Sequence, residues 1–327
     1  MSDTETELSI IIPVYNRVEY FNDALKSLLR LKGNEKIEIL IITNIDLPNA
    51  LNDEVIKIIK SEIKSLSGKL VLGIKMSSGG TIAFLEDDDL WCNNKISKII
   101  SVFKNNRDID FYHNGFRQFR NEITNSKAES LERSHFVVNQ NSLKNKNSDK
   151  IIRLLIKNNI GYNLSSMAAR KNLLLENLEV LESLSVFGID TLVSIIAIVY
   201  SKNIYIDNNI RTYIRIHKNN SYKEMLNANG ESVHELTLIR KMENSSAKSV
   251  KKYIDLYLTI IDIIEYCKRA NVKRHKLLFY LIKYIKYCLK LGILPAIYVL
   301  GSIFSRIVGL RFYNYILQKY HTIPINN

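Results

Sequence analysis

Asp and Glu are absent from Tyr266 to the C-terminus, yet that stretch carries eleven Lys and Arg residues, among them Lys268, Arg274, Lys276, Lys283, Lys286 and Lys290. They account for most of the net charge of +13, and the first 265 residues are close to neutral. A tail of one sign calls for an anionic partner, either a membrane surface or nucleic acid. These cations are spread along strongly apolar helical segments and no nucleic-acid-binding motif accompanies them, so no nucleic acid partner is expected. Cysteine is scarce. Cys92, Cys267 and Cys288 show no metal-ligand spacing and leave one unpaired, which excludes a disulfide scaffold and suggests a reducing compartment. The N-terminus (MSDTETELS) has no apolar stretch of the secretory kind. The longest uncharged run, Leu291 to Ser305, contains Gly292, Pro295 and Gly301, and it is shorter than the ~20 apolar residues of a spanning helix. The expectation is a cytoplasmic protein held peripherally on the inner face of the cell membrane. No internal repeat is present.

The hydrophobic fraction of 46% over 327 residues supports a sizeable core. The run Leu8–Val14 (LSIIIPV) has strand length, and Asn16 is suited to cap a helix in which Ala24, Leu25, Leu28 and Leu29 recur at helical spacing. Ile37–Ile42 (IEILII) reads as the next strand, followed by a helix around Leu51–Leu66, a short strand Leu70–Ile74 and a strand Thr81–Leu85 (TIAFL). Strands apolar on both faces that alternate with helices imply a parallel sheet covered on both sides, with ligands beyond the strands' C-terminal ends. From Arg117 to Lys150 the chain turns polar and reads as loops around a strand or two. Helical periodicity returns in Ile151–Lys157, Leu173–Leu184 and Thr191–Tyr200, followed by strands near Ile204–Ile206 and Ile210–Ile216. After Tyr222 the pattern is helical almost to the end.

Glu86-Asp87-Asp88-Asp89 follows the strand Thr81–Leu85 directly. Two readings fit four consecutive acids: a solvated turn capping the helix that starts near Asn94, or a site for Mg²⁺ or Mn²⁺, whose oxygen ligands relieve the mutual repulsion. A second carboxylate, Asp190 in Phe187-Gly188-Ile189-Asp190-Thr191, opens an apolar helix and is either a helix cap or a proton acceptor.

The order LSIIIPVYNR, amphipathic helix, IEILII, SGGTIAFL and acidic cluster resembles the family 2 glycosyltransferases of the GT-A fold, over roughly residues 8 to 222. The resemblance implies an α/β, Rossmann-like mixed sheet flanked by helices as a catalytic domain over residues 1–222. A C-terminal all-helical basic extension follows over 223–327. It also implies inverting transfer of a sugar from a nucleoside-diphosphate sugar to a hydroxyl of a glycan or lipid-linked acceptor. Pro13, Tyr15, Asn16, Arg17 and Asn44 then hold the nucleoside side of the donor, with Asp87 in the DxD-like run. Glu86 and Asp88 take the two DxD positions around Mn²⁺ or Mg²⁺, and Asp190 is the general base. Asn163-Leu164-Ser165-Ser166-Met167 resembles the acceptor-side strand that precedes the base helix, and Arg215 and His217, in an Arg-x-His segment after it, are implied at the diphosphate and the metal respectively. Three departures stand out: Thr43-Asn44-Ile45-Asp46 replaces an Asp-Asp-Gly-Ser-like turn, Glu86 replaces the first Asp, and Ile189 replaces the Glu before the base. A chain that keeps the fold and binds a sugar nucleotide without transferring it is the alternative reading.

In Lys276–Lys290 (KLLFYLIKYIKYCLK) the lysines at 276, 283, 286 and 290 lie near one helical stripe against a wide apolar and aromatic arc. That pattern suits a helix lying in an anionic membrane surface, at about 1 kcal/mol per cation. The same face is also suited to packing on the catalytic domain or to forming a homodimer through the C-terminal helices.

Overall fold

A computed structural model describes residues 6–15, 18–47, 53–120, 133–183, 188–217, 238–242, 247–268 and 274–291. Contacts divide the chain into two compact units, 1–142 with 155–220, and 143–154 with 221–327.

The first unit is built on a nine-stranded mixed sheet. Within it β1 (Leu8–Val14) is buried along its whole length and paired in parallel with β2 (Ile37–Thr43) and β4 (Thr81–Phe84). Alternate residues of β1 serve opposite faces. Ile10 and Ile12 join the cluster formed with Phe21, Ala24, Leu25 and Leu28 of α1 (Val18–Leu29). Ile11 faces the other way onto α2 (Leu66–Met76), where a Cβ on Gly73 would come within 2.7 Å of its Cγ2. Gly73 therefore permits the close helix–sheet approach. Each fully buried aliphatic side chain contributes about 1.5–3 kcal/mol, so this two-sided burial specifies β1 strongly.

Two expectations fail between residues 51 and 76. The segment read as a helix contains strand β3 (Ile56–Lys60), parallel to β2 at the sheet edge, and the segment read as a strand lies in α2. Ser65 caps α2 by accepting from the Gly68 N–H at 3.2 Å. Gly68 and Gly73 each cost about 1 kcal/mol of helix propensity, but burial of Leu70, Val71 and Ile74 overrides that cost.

Beyond β4 the sheet stops being purely parallel. Strand β8 (Met167–Arg170) runs antiparallel between β4 and β6 (Ile109–Phe119). Strand β9 (Asn203–Arg215) pairs in parallel with β6, and β5 (Leu90–Trp91) and β7 (His135–Asn139) both pair antiparallel with β9. The two strands expected near Ile204 and Ile210 are thus one, interrupted by register shifts opposite Asn114 and Gly115. A Cβ on Gly115 would meet the Asn209 carbonyl at 2.9 Å, so the irregularity depends on that glycine. Helices α3 (Lys95–Asn105), α4 (Ser148–Lys157) and α7 (Ile189–Tyr200) match their sequence signals. The helical signal read over Leu173–Leu184 falls on two short helices, α5 (Lys171–Leu175) and α6 (Leu178–Glu182), interrupted around Asn177, and Leu184 lies outside the described residues.

The second unit contains α8 (Lys248–Lys268) and α9 (Arg274–Leu291). Ser249 Oγ donates to the Leu143 carbonyl at 2.9 Å, and Lys252 pairs with Asp149 at 2.6 Å. Tyr284 and Cys288 of α9 are buried, whereas Leu278, Phe279, Ile282 and Leu289 are exposed. Among the described residues no helix is long and apolar enough to cross a membrane.

Candidate functional site

The register Val14↔Thr43 and Ile11↔Phe84 brings the carboxyl ends of β1, β2 and β4 to one edge, where Tyr15, Asn44 and the acidic run leave the sheet. Pro13 lies inside β1 opposite Ile42, and Asn16 and Arg17 lie outside the described residues. The Tyr15 N–H donates to Asp87 Oδ2 at 2.7 Å, joining the β1 tip to the acidic cluster. Sequence reasoning missed Lys69, a fully buried lysine of α2 that holds the same tip. Its Nζ donates to the Val14 carbonyl at 2.6 Å and to Asn44 Oδ1 at 2.7 Å, and lies 4.0 Å from the centroid of the Tyr15 ring. Burial lowers its pKa, and the charge of Asp87 works against that shift. The available signal was a lysine inside the apolar segment LSGKLVLGI, since a buried ammonium needs partners. Beside it Thr43, Asn44, Asp46, Lys60 and Ser61 line a cavity of about 230 Å³.

The four acids are not equivalent. Asp87, Asp88 and Asp89 are nearly buried and Glu86 is half-buried, so the solvated-turn reading does not hold. Asp88 Oδ2 lies 2.8 Å from His217 Nε2, and the imidazole packs against the Tyr20 ring at 4.9 Å. Asp89 accepts from Asn163 Nδ2 and Ser165 Oγ, both at 2.7 Å, and from the Arg215 N–H at 3.1 Å. Burial, with the neighbouring charge of Asp88, pushes the Asp89 carboxyl up to about 7. Arg215 was expected at the diphosphate. Its Nε donates to the Asp88 carbonyl at 3.1 Å and its Nη2 pairs with Asp23 at 2.9 Å. The guanidinium carbon sits 4.7 Å from the centroids of both Tyr20 and Phe119. These contacts hold the Arg215 side chain against the acidic run.

Ser165 belongs to the Asn163–Met167 segment, but its contacts with the acidic run were not part of that resemblance. Its hydroxyl accepts from the Glu86 N–H at 2.9 Å, and its carbonyl accepts from the Trp91 indole at 2.9 Å and from Lys95 Nζ at 2.5 Å. Lys95 also donates to Thr212 Oγ1 at 2.9 Å, and its complete burial holds its pKa well below the usual lysine range. Together these contacts form a rigid floor beneath the acidic run.

Asp190 stands in the first turn of α7, which is capped by Gly188. Its Oδ1 accepts from the Thr191 N–H at 2.7 Å and its Oδ2 from the Asn163 N–H at 3.0 Å. Burial raises its pKa above the ordinary 3.8, while these backbone donors work against the rise. Asn163 therefore touches both carboxylates: its backbone donates to Asp190 and its side chain to Asp89. It does so at φ 67°, a conformation non-glycine residues adopt rarely and one that its surroundings must impose.

A family model described as "Glycosyl transferase family 2" matches residues 9–178, from β1 through the acidic run, β8 and the start of α6. The chain belongs to that family. An uncharacterized glycosyltransferase of Rickettsia conorii is 33% identical over 138 residues, which is 40% of this chain and 22% of the relative. Another from Nostoc is 27% identical over 116 residues, 33% of this chain and 36% of the relative. The matched segment thus spans about a fifth to a third of these relatives. The structure of S. aureus TarS 1–349 in complex with UDP-GlcNAc superposes with a TM-score of 0.55 at 14% identity, covering 92% of this chain and 81% of that one. The S. aureus TarS structure gives 0.50 at 14% identity, covering 96% and 55%. These likenesses establish the GT-A fold: a mixed sheet flanked by helices.

Proposed function

We propose that this glycosyltransferase moves a sugar from a nucleoside-diphosphate sugar to a hydroxyl of a glycan or lipid-linked acceptor, with inversion. The observation that carries the reading is Asn163, which ties Asp190 and the acidic run into one site by hydrogen bonds of 3.0 and 2.7 Å. A lone helix cap has no reason to be coupled to an acidic cluster a hundred residues earlier in the chain.

The nucleoside end of the donor lies at the tips of β1 and β2, with Tyr15 and Asn44 as its contacts and Lys69 and Asp87 behind them. The donor set fits a small divalent cation. Asp88 and His217 are already together at 2.8 Å and Glu86 is adjacent, although no cluster of three or more such ligands is assembled among the described residues. Mg²⁺ and Mn²⁺ commonly take only one or two protein ligands beside waters and phosphate oxygens. When bound, such an ion supplies neutralisation of the charge building on the departing diphosphate. Asp190 accepts the proton of the acceptor hydroxyl as that oxygen bonds to the anomeric carbon and the bond to the diphosphate breaks. Burial suits Asp190 to this role, because a raised pKa makes its carboxylate a stronger base.

In this reading residues 1–222 are the catalytic domain, and 223–327 bring it to an anionic membrane surface. Exposed Leu278, Phe279, Ile282 and Leu289 share one stripe of α9 with exposed Lys286, as an interfacial helix requires. The side chains of Lys276 and Lys290 lie outside the described residues.

The test is thermal-shift titration with nucleoside diphosphates and their sugars, with and without Mn²⁺, on the wild type and Asp88→Asn. A stabilisation by one nucleotide class that needs Mn²⁺ and disappears in Asp88→Asn is expected. A nucleotide shift in the wild type without transfer to any acceptor would favour the non-catalytic binding protein. The absence of any shift would refute the donor site.

A further inference from the structure

Tyr162 precedes the Asn163 clamp and is 42% exposed, an unusual position for an aromatic ring beside a buried catalytic carboxylate. The turn that presents it is fixed from several directions. Its N–H donates to the Asn159 carbonyl at 2.9 Å, His113 Nε2 lies 3.3 Å from its own carbonyl, and Thr191 Oγ1 donates to the Gly161 carbonyl at 3.0 Å. Asn159, at φ 53° in the left-handed cap that ends α4, and Asn163, at φ 67°, flank it. Phe116 of β6 lies against it with ring centroids 5.2 Å apart and planes tilted by 51°. Gln118 Nε2 approaches the Tyr162 hydroxyl at 3.4 Å. Burial of its hydroxyl end, with the charges of Asp190, Asp89 and Glu86, pushes the phenol up to about 12 and keeps it a neutral hydrogen-bond donor.

We infer that Tyr162 and Phe116 form an acceptor subsite that stacks on the apolar face of a pyranose ring and sets one of its hydroxyls beside Asp190. The inference rests on the glycosyl-transfer reading for the role of Asp190 and adds the chemical class of the acceptor: a neutral cyclic sugar. A pyranose offers an apolar C–H face to an aromatic ring and a rim of hydroxyls to the Tyr162 phenol and the Gln118 amide. A tyrosine supplies such amphipathic contact area with few rotatable bonds to immobilise. The carboxylates around the phenol disfavour a phosphate at this position, and a simple alkyl alcohol would leave the polar rim unpaired.

The test is saturation-transfer NMR on the full chain with methyl β-D-glucopyranoside and methyl N-acetyl-β-D-glucosaminide as probes and sorbitol as the open-chain control. The pyranosides should bind through their C–H face and sorbitol should not. Tyr162→Ala should weaken pyranoside binding about tenfold, whereas Tyr162→Phe should stay within about threefold of wild type. Phe116→Ala, on a different element, should repeat the loss without touching the Asn163 turn. Metal-dependent stabilisation by the sugar nucleotide should persist in Tyr162→Ala, which shows that the donor site is intact. Equal pyranoside binding by wild type and Tyr162→Ala, binding of sorbitol as strongly as the pyranosides, or no pyranoside binding by the wild type would each overturn the inference. Tyr162-dependent pyranoside binding in a protein that binds no sugar nucleotide would instead remove the glycosyl-transfer reading and leave the subsite standing.

Discussion

Gly188→Ala probes the proposed general base, Asp190, without altering a single atom of it. Gly188 has φ −57° and ψ 120°, which alanine adopts without strain. Among the described residues, the nearest neighbour of an added Cβ is the Asp190 carboxylate, with Oδ1 at 2.3 Å and Cγ at 3.4 Å. An ordinary carbon contact is about 3.5 Å, so the carboxylate must retreat by about 1 Å. That movement breaks the 2.7 Å bond from the Thr191 N–H, a net loss of about 0.5–1.5 kcal/mol. Restricting the unfolded chain returns about 0.4–1 kcal/mol, so stability should change by less than about 1 kcal/mol. Activity should respond far more, because misplacing a reacting group by about 1 Å costs about a hundredfold. The assay is initial transfer rate at saturating donor and acceptor, using the sugar nucleotide found by thermal shift, with unfolding and donor binding measured on the same preparation. A rate within about twofold of wild type, while Asp190→Asn is inactive, would refute the proposition that transfer depends on this carboxylate position.

Asp190→Asn should lower transfer by about a hundredfold or more while donor binding persists, and should also cost some stability, because an amide turns a donor toward either Asn163 or Thr191. The wild-type rate should fall on acidification through the Asp190 pKa, which burial raises above 3.8, since only the carboxylate accepts the proton; a rate that is flat down to pH 4 contradicts this. The stability linkage has the opposite sign: a raised carboxyl pKa contributes stability below 3.8 that is lost as the pH rises through the folded value. Lys69→Met should destabilise the chain by about 1–3 kcal/mol by stripping the donor from the Val14 carbonyl and Asn44, and should weaken nucleotide binding in thermal-shift titration; unchanged nucleotide affinity would remove Lys69 from the donor site. Reversing Lys283 and Lys286 to Glu should release the protein from anionic liposomes at low salt, and persistence of binding in high salt would rule out an electrostatic attachment.

What was legible in the sequence was local. The run LSIIIPV is apolar at every position but one, so it is a buried strand wherever the chain goes, and the acids after TIAFL must leave the sheet where that strand ends. Asp190 was readable because a helix signal begins beside it. The misreadings fall where structure depends on distant contacts. KLVLGI has the β-branched, apolar look of a strand, and only the fit of Gly73 against Ile11 and the burial of the surrounding residues make it a helix. Asp207-Asn208-Asn209 looks like a turn between two strands, and only the register shift opposite Gly115 lets one strand pass through it. Asn163 and Ser165 were legible only as part of an acceptor-side segment by resemblance; their partners, more than seventy residues earlier in the chain, were not.

The same long-range logic accounts for a departure from the family pattern. A carboxylate at the tip of β2 would sit beside Lys69 and pair with it; here the residue is Asn44, whose oxygen must face the ammonium because Lys69 can only donate. That fixes the amide with its donors turned away from Lys69. The negative charge that Lys69 requires comes instead from Asp87, held one strand away by the Tyr15 N–H. The side chain at the tip of β2 is thereby neutral where a carboxylate would carry charge. The altered turn is an electrostatic rearrangement of the pocket, with the cation and its counter-charge both retained in its wall.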